Sequence, residues 1–144
     1  MSSLGARLPA PLSAGVIIVR GEPPEFLLAR CYHYWDFPKG ELETGETPLA
    51  AAQREVAEET ALTALDFRWG SCCYRTPPYT RRGKIACYYL ARLASPQQAE
   101  IRPNPQTGRY EHHELRWVAA EQARALLGPR VRGALEWALR LLSA

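Results

Sequence analysis

Gly40-Glu41-Leu42-Glu43-Thr44-Gly45-Glu46 runs into Thr47-Pro48 and then, five residues on, into Arg54-Glu55-Val56-Ala57-Glu58-Glu59-Thr60-Ala61-Leu62. With Pro38 just upstream, two glycines and a proline fall within eight residues, which excludes regular structure and predicts a structured loop from Asp36 to Glu46. Thr47 followed by Pro48 is a helix start, because the hydroxyl accepts from a free backbone N–H and proline at the first helical position loses nothing. Leu49, Ala52 and Val56 then share one face of a helix between Thr47 and Ala61. At about 100° per residue, Glu55, Glu58 and Glu59 project within about 100° of one another on another face.

Three carboxylates held that close repel and raise one another's pKa unless a positive charge neutralises them. A divalent cation does this best. Carboxylate oxygens, completed by water and phosphate, are what Mg²⁺ prefers, and Mn²⁺ occupies the same type of site. The competing interpretation is a solvated acidic helix in a structural or interaction protein, with Arg54 making local ion pairs of a few tenths of a kcal/mol.

Working outward, Ala14 to Arg20 and Phe26 to Ala29 read as two strands around the turn Gly21-Glu22-Pro23-Pro24. Phe67 to Tyr74 and Lys84 to Leu93 read as strands of a hairpin across the polar turn Pro77 to Gly83. Ser95 to Thr107, with three prolines, reads as a loop. A short strand around Leu115 to Val118 precedes two helices, Ala120 to Leu127 and Val131 to Leu142, broken at Gly128-Pro129. This order predicts an α+β domain with a mixed sheet and helices on its faces.

The chain has 144 residues, enough for one domain with a real core, and residues 1–144 are expected to form it. With 47% hydrophobic and 23% charged residues the composition is that of a folded protein, not a disordered one. A net charge of +3 suits a polyanionic ligand but falls short of a dedicated nucleic-acid binder, so no DNA-binding role is expected. Cys31, Cys72, Cys73 and Cys87 form no C-x-x-C pair, which argues against structural zinc and for a reducing compartment. No apolar run reaches the roughly 18 residues that span a bilayer, and Met1 to Ser13 lacks a signal-peptide core. A cytoplasmic protein with no membrane role is expected.

From Gly40, the spacing to Glu46 and on to Arg54-Glu55-Val56-Ala57-Glu58-Glu59-Thr60-Ala61-Leu62 is similar to the Nudix box of the Nudix hydrolase family. The resemblance implies an α/β/α sandwich in which the catalytic helix follows a structured loop. It also implies Mg²⁺-dependent cleavage of a nucleoside diphosphate linked to another group. Glu55, Glu58 and Glu59 match the metal-binding and base-supplying glutamates, Gly40 offers its carbonyl, and Arg54 with Glu46 braces the site. Glu58 is the expected general base. Ala61 departs from the family's usual glycine at the helix end. It either ends the helix without a left-handed cap or keeps that conformation at about 1 kcal/mol.

His33-Tyr34-Trp35-Asp36-Phe37-Pro38-Lys39-Gly40 looks like the segment entering the box in asymmetric diadenosine tetraphosphate hydrolases, and Glu111-His112 ahead of Trp117 matches their added metal-site glutamate. In this reading His33, Lys39, Arg82 and Lys84 contact the polyphosphate and Tyr79 stacks on adenine. Without the resemblance, Tyr79 is a loop anchor, Arg81-Arg82 a solvated pair and His33 a core histidine. Trp35, Trp69, Trp117 and Trp137 read as packing residues. The implied substrate is a small nucleotide, diadenosine tetraphosphate first, cut to ATP and AMP. RNA 5′ ends, nucleoside triphosphates and inositol pyrophosphates are the alternatives within the same chemistry. A silent nucleotide-binding domain is the alternative outside it.

Overall fold

The computed structural model describes residues 12–144, so the expectation about a leader segment lies, for residues 1–11, outside the described residues. Strand β1 (Leu12–Arg20) runs through the middle of a mixed sheet and is buried from Ser13 to Val19. Its alternation divides the core. Ala14, Val16 and Ile18 face one side, whereas Ile17 and Val19 face the other.

Beside β1 lie β2 (Glu25–Cys31), antiparallel, and β7 (Ile85–Leu93), parallel through eight residue pairs from Leu12↔Ile85 to Val19↔Arg92. Strand β8 (Glu114–Ala119) pairs with β2, and β6 (Cys73–Arg75) with β7, both antiparallel. Helix α1 (Pro48–Thr60) covers the Ala14 side through Ala51, Ala52 and Val56. Helices α2 (Ala120–Leu126) and α3 (Pro129–Ser143) cover the other through Ala123, Val131, Ala134, Leu135 and Ala138. The sheet is therefore sandwiched between helices, as expected. Trp35, Trp69 and Trp137 pack on the α2–α3 side and Trp117 on the α1 side.

Three expectations need correction. The glycine-rich segment 36–46 is not wholly irregular. It contains the end of β3 (Tyr34–Asp36) and all of β4 (Lys39–Glu41), which pairs with β1 at Ser13↔Glu41, Ala14↔Gly40 and Gly15↔Lys39. Phe67 to Tyr74 is not one strand. The chain leaves β5 (Leu65–Asp66), turns at Gly70, whose N–H donates to Phe67 O at 2.8 Å, and re-enters the sheet as β6. The last helix begins at Pro129, because proline opens a helix at its first turn rather than preventing one. The hairpin itself is present, closed by Tyr79 N–H donating to Lys84 O and Gly83 N–H to Thr80 O, both 3.0 Å.

Helix α1 starts where expected, with Thr47 Oγ1 accepting from Ala50 N at 3.2 Å. It ends in the left-handed form that the family glycine would supply. Ala61 has φ 68° and ψ 6°, and its N–H donates to Ala57 O at 3.1 Å. A β-carbon is strained there, so Ala61→Gly is expected to stabilise the fold by about 1 kcal/mol. Thermal melting reads this as a rise of roughly 3 °C, and an unchanged or lower Tm would show that the cap carries no strain. Among the described residues no helix is long and apolar enough to cross a membrane.

Candidate active site

The pairing of β4 with β1 brings Gly40 to the first acidic residue of α1. A Cβ at Gly40 would overlap the Glu55 carboxylate where it now lies, so a larger residue there would push that carboxylate aside. Arg54 sits at the centre of the surrounding charges. Its Nε and Nη2 donate to the two oxygens of Glu46 at 2.7 and 3.0 Å, Nη2 also donates to Glu41 O at 3.1 Å, and Nη1 meets Glu55 Oε1 at 2.7 Å. Both Glu58 oxygens stand 3.4 Å from Nη1, and Glu43 Oε2 is 3.7 Å away. This bidentate pair pulls Glu46 down to about pKa 2, with the Glu43 backbone helping. Glu46 in turn clasps its own loop by accepting from Glu43 N at 2.9 Å.

Glu59 lies deeper and Oε1 is buried without a hydrogen bond; His112 Nδ1 stands 3.5 Å away without making one. Burial, then the Glu55 carboxylate, then Glu111, push the Glu59 carboxyl well above the ordinary 4.5. Burial also lowers the pKa of His112, so it does not supply the missing positive charge.

Glu55, Glu58, Gly40 and Glu111 line a cavity of about 500 Å³ together with Lys39, Lys84 and Arg54. A second, narrow space brings Glu59 and His112 against Glu55, Glu58 and Glu111. Lys84 Nζ pairs with Glu41 at 3.1 Å, and Lys39 Nζ stands 3.8 Å from Asp36. A larger cavity of about 730 Å³ lies between Trp117 and residues 94–99, and among the described residues its lining has no carboxylate.

The donor set suits a hard divalent ion. It combines carboxylate oxygens, a glycine backbone against them and an orphaned buried oxygen on Glu59. As they stand, no three Asp, Glu, His or Cys side chains among the described residues converge on a metal-holding point, and Glu55 and Glu58 are turned toward Arg54.

Other predicted site residues lie elsewhere. His33 is exposed, which excludes a core histidine. Its ring lies tilted by 38° against that of Tyr34, with centroids 4.3 Å apart, and it lines a separate cleft with Asp36 and Arg130. Arg82 is exposed on the hairpin turn and is not in the lining of the acidic cavity. Tyr79 is half-buried against the α2–α3 side of the core, with the Arg130 guanidinium 4.0 Å over its ring and its hydroxyl buried without a partner. One face expected for adenine stacking is thus taken by Arg130.

Several residues at or beside the site carry no sequence signal of their own. Asp36 Oδ1 accepts from Tyr88 OH at 2.8 Å and from Phe37 N at 2.7 Å, while Arg130 Nη2 approaches Oδ2 at 3.4 Å. This ties helix α3 and strand β7 to the end of β3. Asn104 and Gln106 form a wall of the acidic cavity although they stand in a proline-rich loop. Only their folded neighbours reveal them.

Comparison with known proteins agrees with this geometry. The chain is 31% identical over 118 residues to the asymmetrical bis(5′-nucleosyl)-tetraphosphatase of Caenorhabditis elegans, covering 77% of this chain and 80% of that one. It is 34% identical over 104 residues to the protein of that name from Mus musculus, covering 69% and 67%. Among solved structures, a C. elegans Ap4A hydrolase binary complex superposes with a TM-score of 0.80 at 26% identity, covering 92% of this chain and 98% of the other. Residues 9–138 match the model of the NUDIX domain. The chain therefore belongs to the NUDIX domain family.

Proposed function

We propose that residues 1–144 act as one hydrolase domain that cuts a phosphoanhydride bond of a dinucleoside polyphosphate, diadenosine tetraphosphate first, to ATP and AMP. The observation that carries this reading is the single cavity in which Glu55, Glu58 and Glu111 meet Lys39 and Lys84. Acids alone would suit a cation, and lysines alone an anion. Both together suit a phosphate chain bound with its cation. The C. elegans and mouse relatives support the dinucleotide by their names.

Gly40 through its carbonyl, and Glu55, Glu58, Glu59 and Glu111 through their carboxylates, would hold Mg²⁺, or Mn²⁺ in its place. When bound, the ion neutralises phosphate oxygens and lowers the pKa of water. Lys39 and Lys84, which line the same cavity, orient the polyphosphate by charge. Glu58 takes the proton from the attacking water at a carboxylate oxygen. Arg54, fixed by Glu46, keeps Glu55 and Glu58 on one side of the cavity. His33 and Arg82, at the exposed margins, are left for the distal parts of a long substrate, and Tyr79 for a nucleobase edge rather than a free ring face.

The deciding measurement is product analysis of the purified protein with Mg²⁺ on diadenosine tetraphosphate, triphosphorylated RNA and nucleoside triphosphates. ATP and AMP in equal amounts from the dinucleotide, with a higher kcat/KM than on the others, is the expected result. Faster release of pyrophosphate from RNA 5′ ends would replace this substrate by RNA. No turnover of any of them would leave a nucleotide-binding domain.

A further inference from the structure

Between β7 and β8, residues 94–113 form a strap over the acidic face of α1. One end is pinned to the end of that helix. Gln97 Oε1 accepts from Thr63 N and Ala64 N at 2.9 and 2.7 Å, and Glu100 N donates to Thr60 O at 2.9 Å. At the other end His113 N donates to Arg30 O at 2.7 Å, and His113 Nδ1 accepts from Tyr32 N at 2.8 Å.

Midway, Asn104 engages every polar group it has. Its N–H donates to Arg109 O and its carbonyl accepts from Gly108 N, each at 2.8 Å. Its side-chain Oδ1 accepts from Gln106 N at 2.8 Å and Thr107 N at 3.2 Å. These four bonds close the turn 104–109. The remaining group, Nδ2, reaches out of the turn and donates to Glu111 Oε2 at 2.5 Å.

We infer that Asn104 is a positioning residue that holds the Glu111 carboxylate toward Glu55, Glu58 and Glu59 for the cation of the reaction. This rests on the hydrolase reading above. Glu111 is exposed, sits on the strap and faces other carboxylates, so repulsion drives it outward unless a donor restrains it. An amide is suited to that task. It donates without neutralising the carboxylate, whereas a lysine or arginine at this position would compete with the ion. Both Asn104 and Glu111 line the main cavity and the narrow space above Glu59, so the clasp lies at the site itself.

Asn104→Asp separates the two functions of the side chain. Aspartate keeps the acceptor that closes the turn, but turns an oxygen toward Glu111 where an N–H had been. The test measures the rise of Tm on titration with Mn²⁺ and with Mg²⁺, beside kcat and KM on diadenosine tetraphosphate. It compares wild type, Asn104→Asp, Glu111→Gln and the double variant. The expected result for Asn104→Asp is a metal midpoint raised by about 10-fold or more, with Tm in metal-free buffer within about 2 °C of wild type. kcat/KM falls at limiting metal and recovers in part at saturation. The double variant is expected to resemble Glu111→Gln alone, because the interaction is already gone. Asn104→Ser, which keeps an acceptor for the turn but cannot reach Glu111, should give the same shift and decides the matter if the aspartate variant fails to fold.

An unchanged metal midpoint in these variants overturns the inference. So does a double variant that adds the full loss of Asn104→Asp to that of Glu111→Gln, since Asn104 would then act through the loop and not through Glu111. If wild type shows neither a metal-dependent Tm nor turnover, the hydrolase reading falls and the inference with it.

Discussion

Glu58→Gln is expected to lower kcat on diadenosine tetraphosphate by at least about 10²-fold, the usual loss for a missing general base, while Tm stays near that of wild type. The three glutamates of the helix are not equivalent. Glu55 is held at 2.7 Å by Arg54 and pressed against Gly40, with its side chain 15% exposed. Glu59 is only 9% exposed and burial raises its pKa, which disfavours its ionised form without a cation. Glu58 is 30% exposed and its contact with Arg54 is long, 3.4 Å to either oxygen. It is the carboxylate most able to turn toward a water in the cavity. Glutamine preserves the shape of the side chain while removing its basicity and its negative charge, so kcat is compared at saturating Mg²⁺ to separate loss of the base from weaker metal binding. Glu55→Gln and Glu59→Gln are the controls, expected to act mainly by raising the metal requirement. If Glu58→Gln keeps kcat within tenfold of wild type at saturating Mg²⁺ while one of the controls loses 10²-fold, the base has been misassigned.

The largest stability effect is expected at Gly15. A Cβ there would run into the Pro38 carbonyl oxygen and stand 2.5 Å from Lys39 Cβ. Neither obstacle is the free end of a flexible side chain. The Pro38 carbonyl also accepts from Val16 N at 3.1 Å, so moving it breaks a bond between β1 and the loop. Gly15→Ala should therefore cost about 3 kcal/mol, the upper range for overpacking, and lower Tm by roughly 10 °C. Because the displaced segment carries Lys39 and Gly40, metal-dependent stabilisation should weaken as well. A variant melting within about 2 °C of wild type would mean that β4 can move away from β1 freely. Gly40 differs in kind. There the obstacle is the Glu55 carboxylate, which can swing aside, so an added methyl group disturbs the chemistry before the fold.

What sequence reasoning reached, and what it missed, follows the range of the interactions. Helix α1 was legible to the residue, because Thr47, Pro48 and the spacing of Ala52 and Val56 act within a few positions of one another. The pairing of Glu46 with Arg54 was legible from the family pattern. Strand β4 was not, since its strand character comes from β1, and three residues rich in glycine and charge have no strand tendency of their own. The break between β5 and β6 was missed for the converse reason: Phe67 to Tyr74 was read as one strand, and the turn at Gly70 prevailed. At the site, Lys39 and Lys84 were named through the resemblance alone, and the fold brings both to the cavity of the glutamates. Asn104 was not, because its significance rests on a contact with Glu111 and on four bonds within its own turn. The covering of Tyr79 by Arg130 joins a hairpin to a helix far along the chain, and no local pattern announces it.

The parallel register of β1 with β7 has a bearing on how the molecule reaches this state. Leu12 lies opposite Ile85, so this pairing closes a loop of roughly seventy residues before its eight residue pairs repay the lost entropy. The box needs no such closure. Strand β4 and helix α1 follow β1 closely in the chain and pack on it directly. Lys84 and the Asn104–Glu111 strap, in contrast, flank β7 and gain their places with it. During folding, the acidic half of the site is thus free to assemble early from near neighbours. Lys39 comes early with β4, whereas Lys84 and the strap arrive with the slow, high-contact-order step.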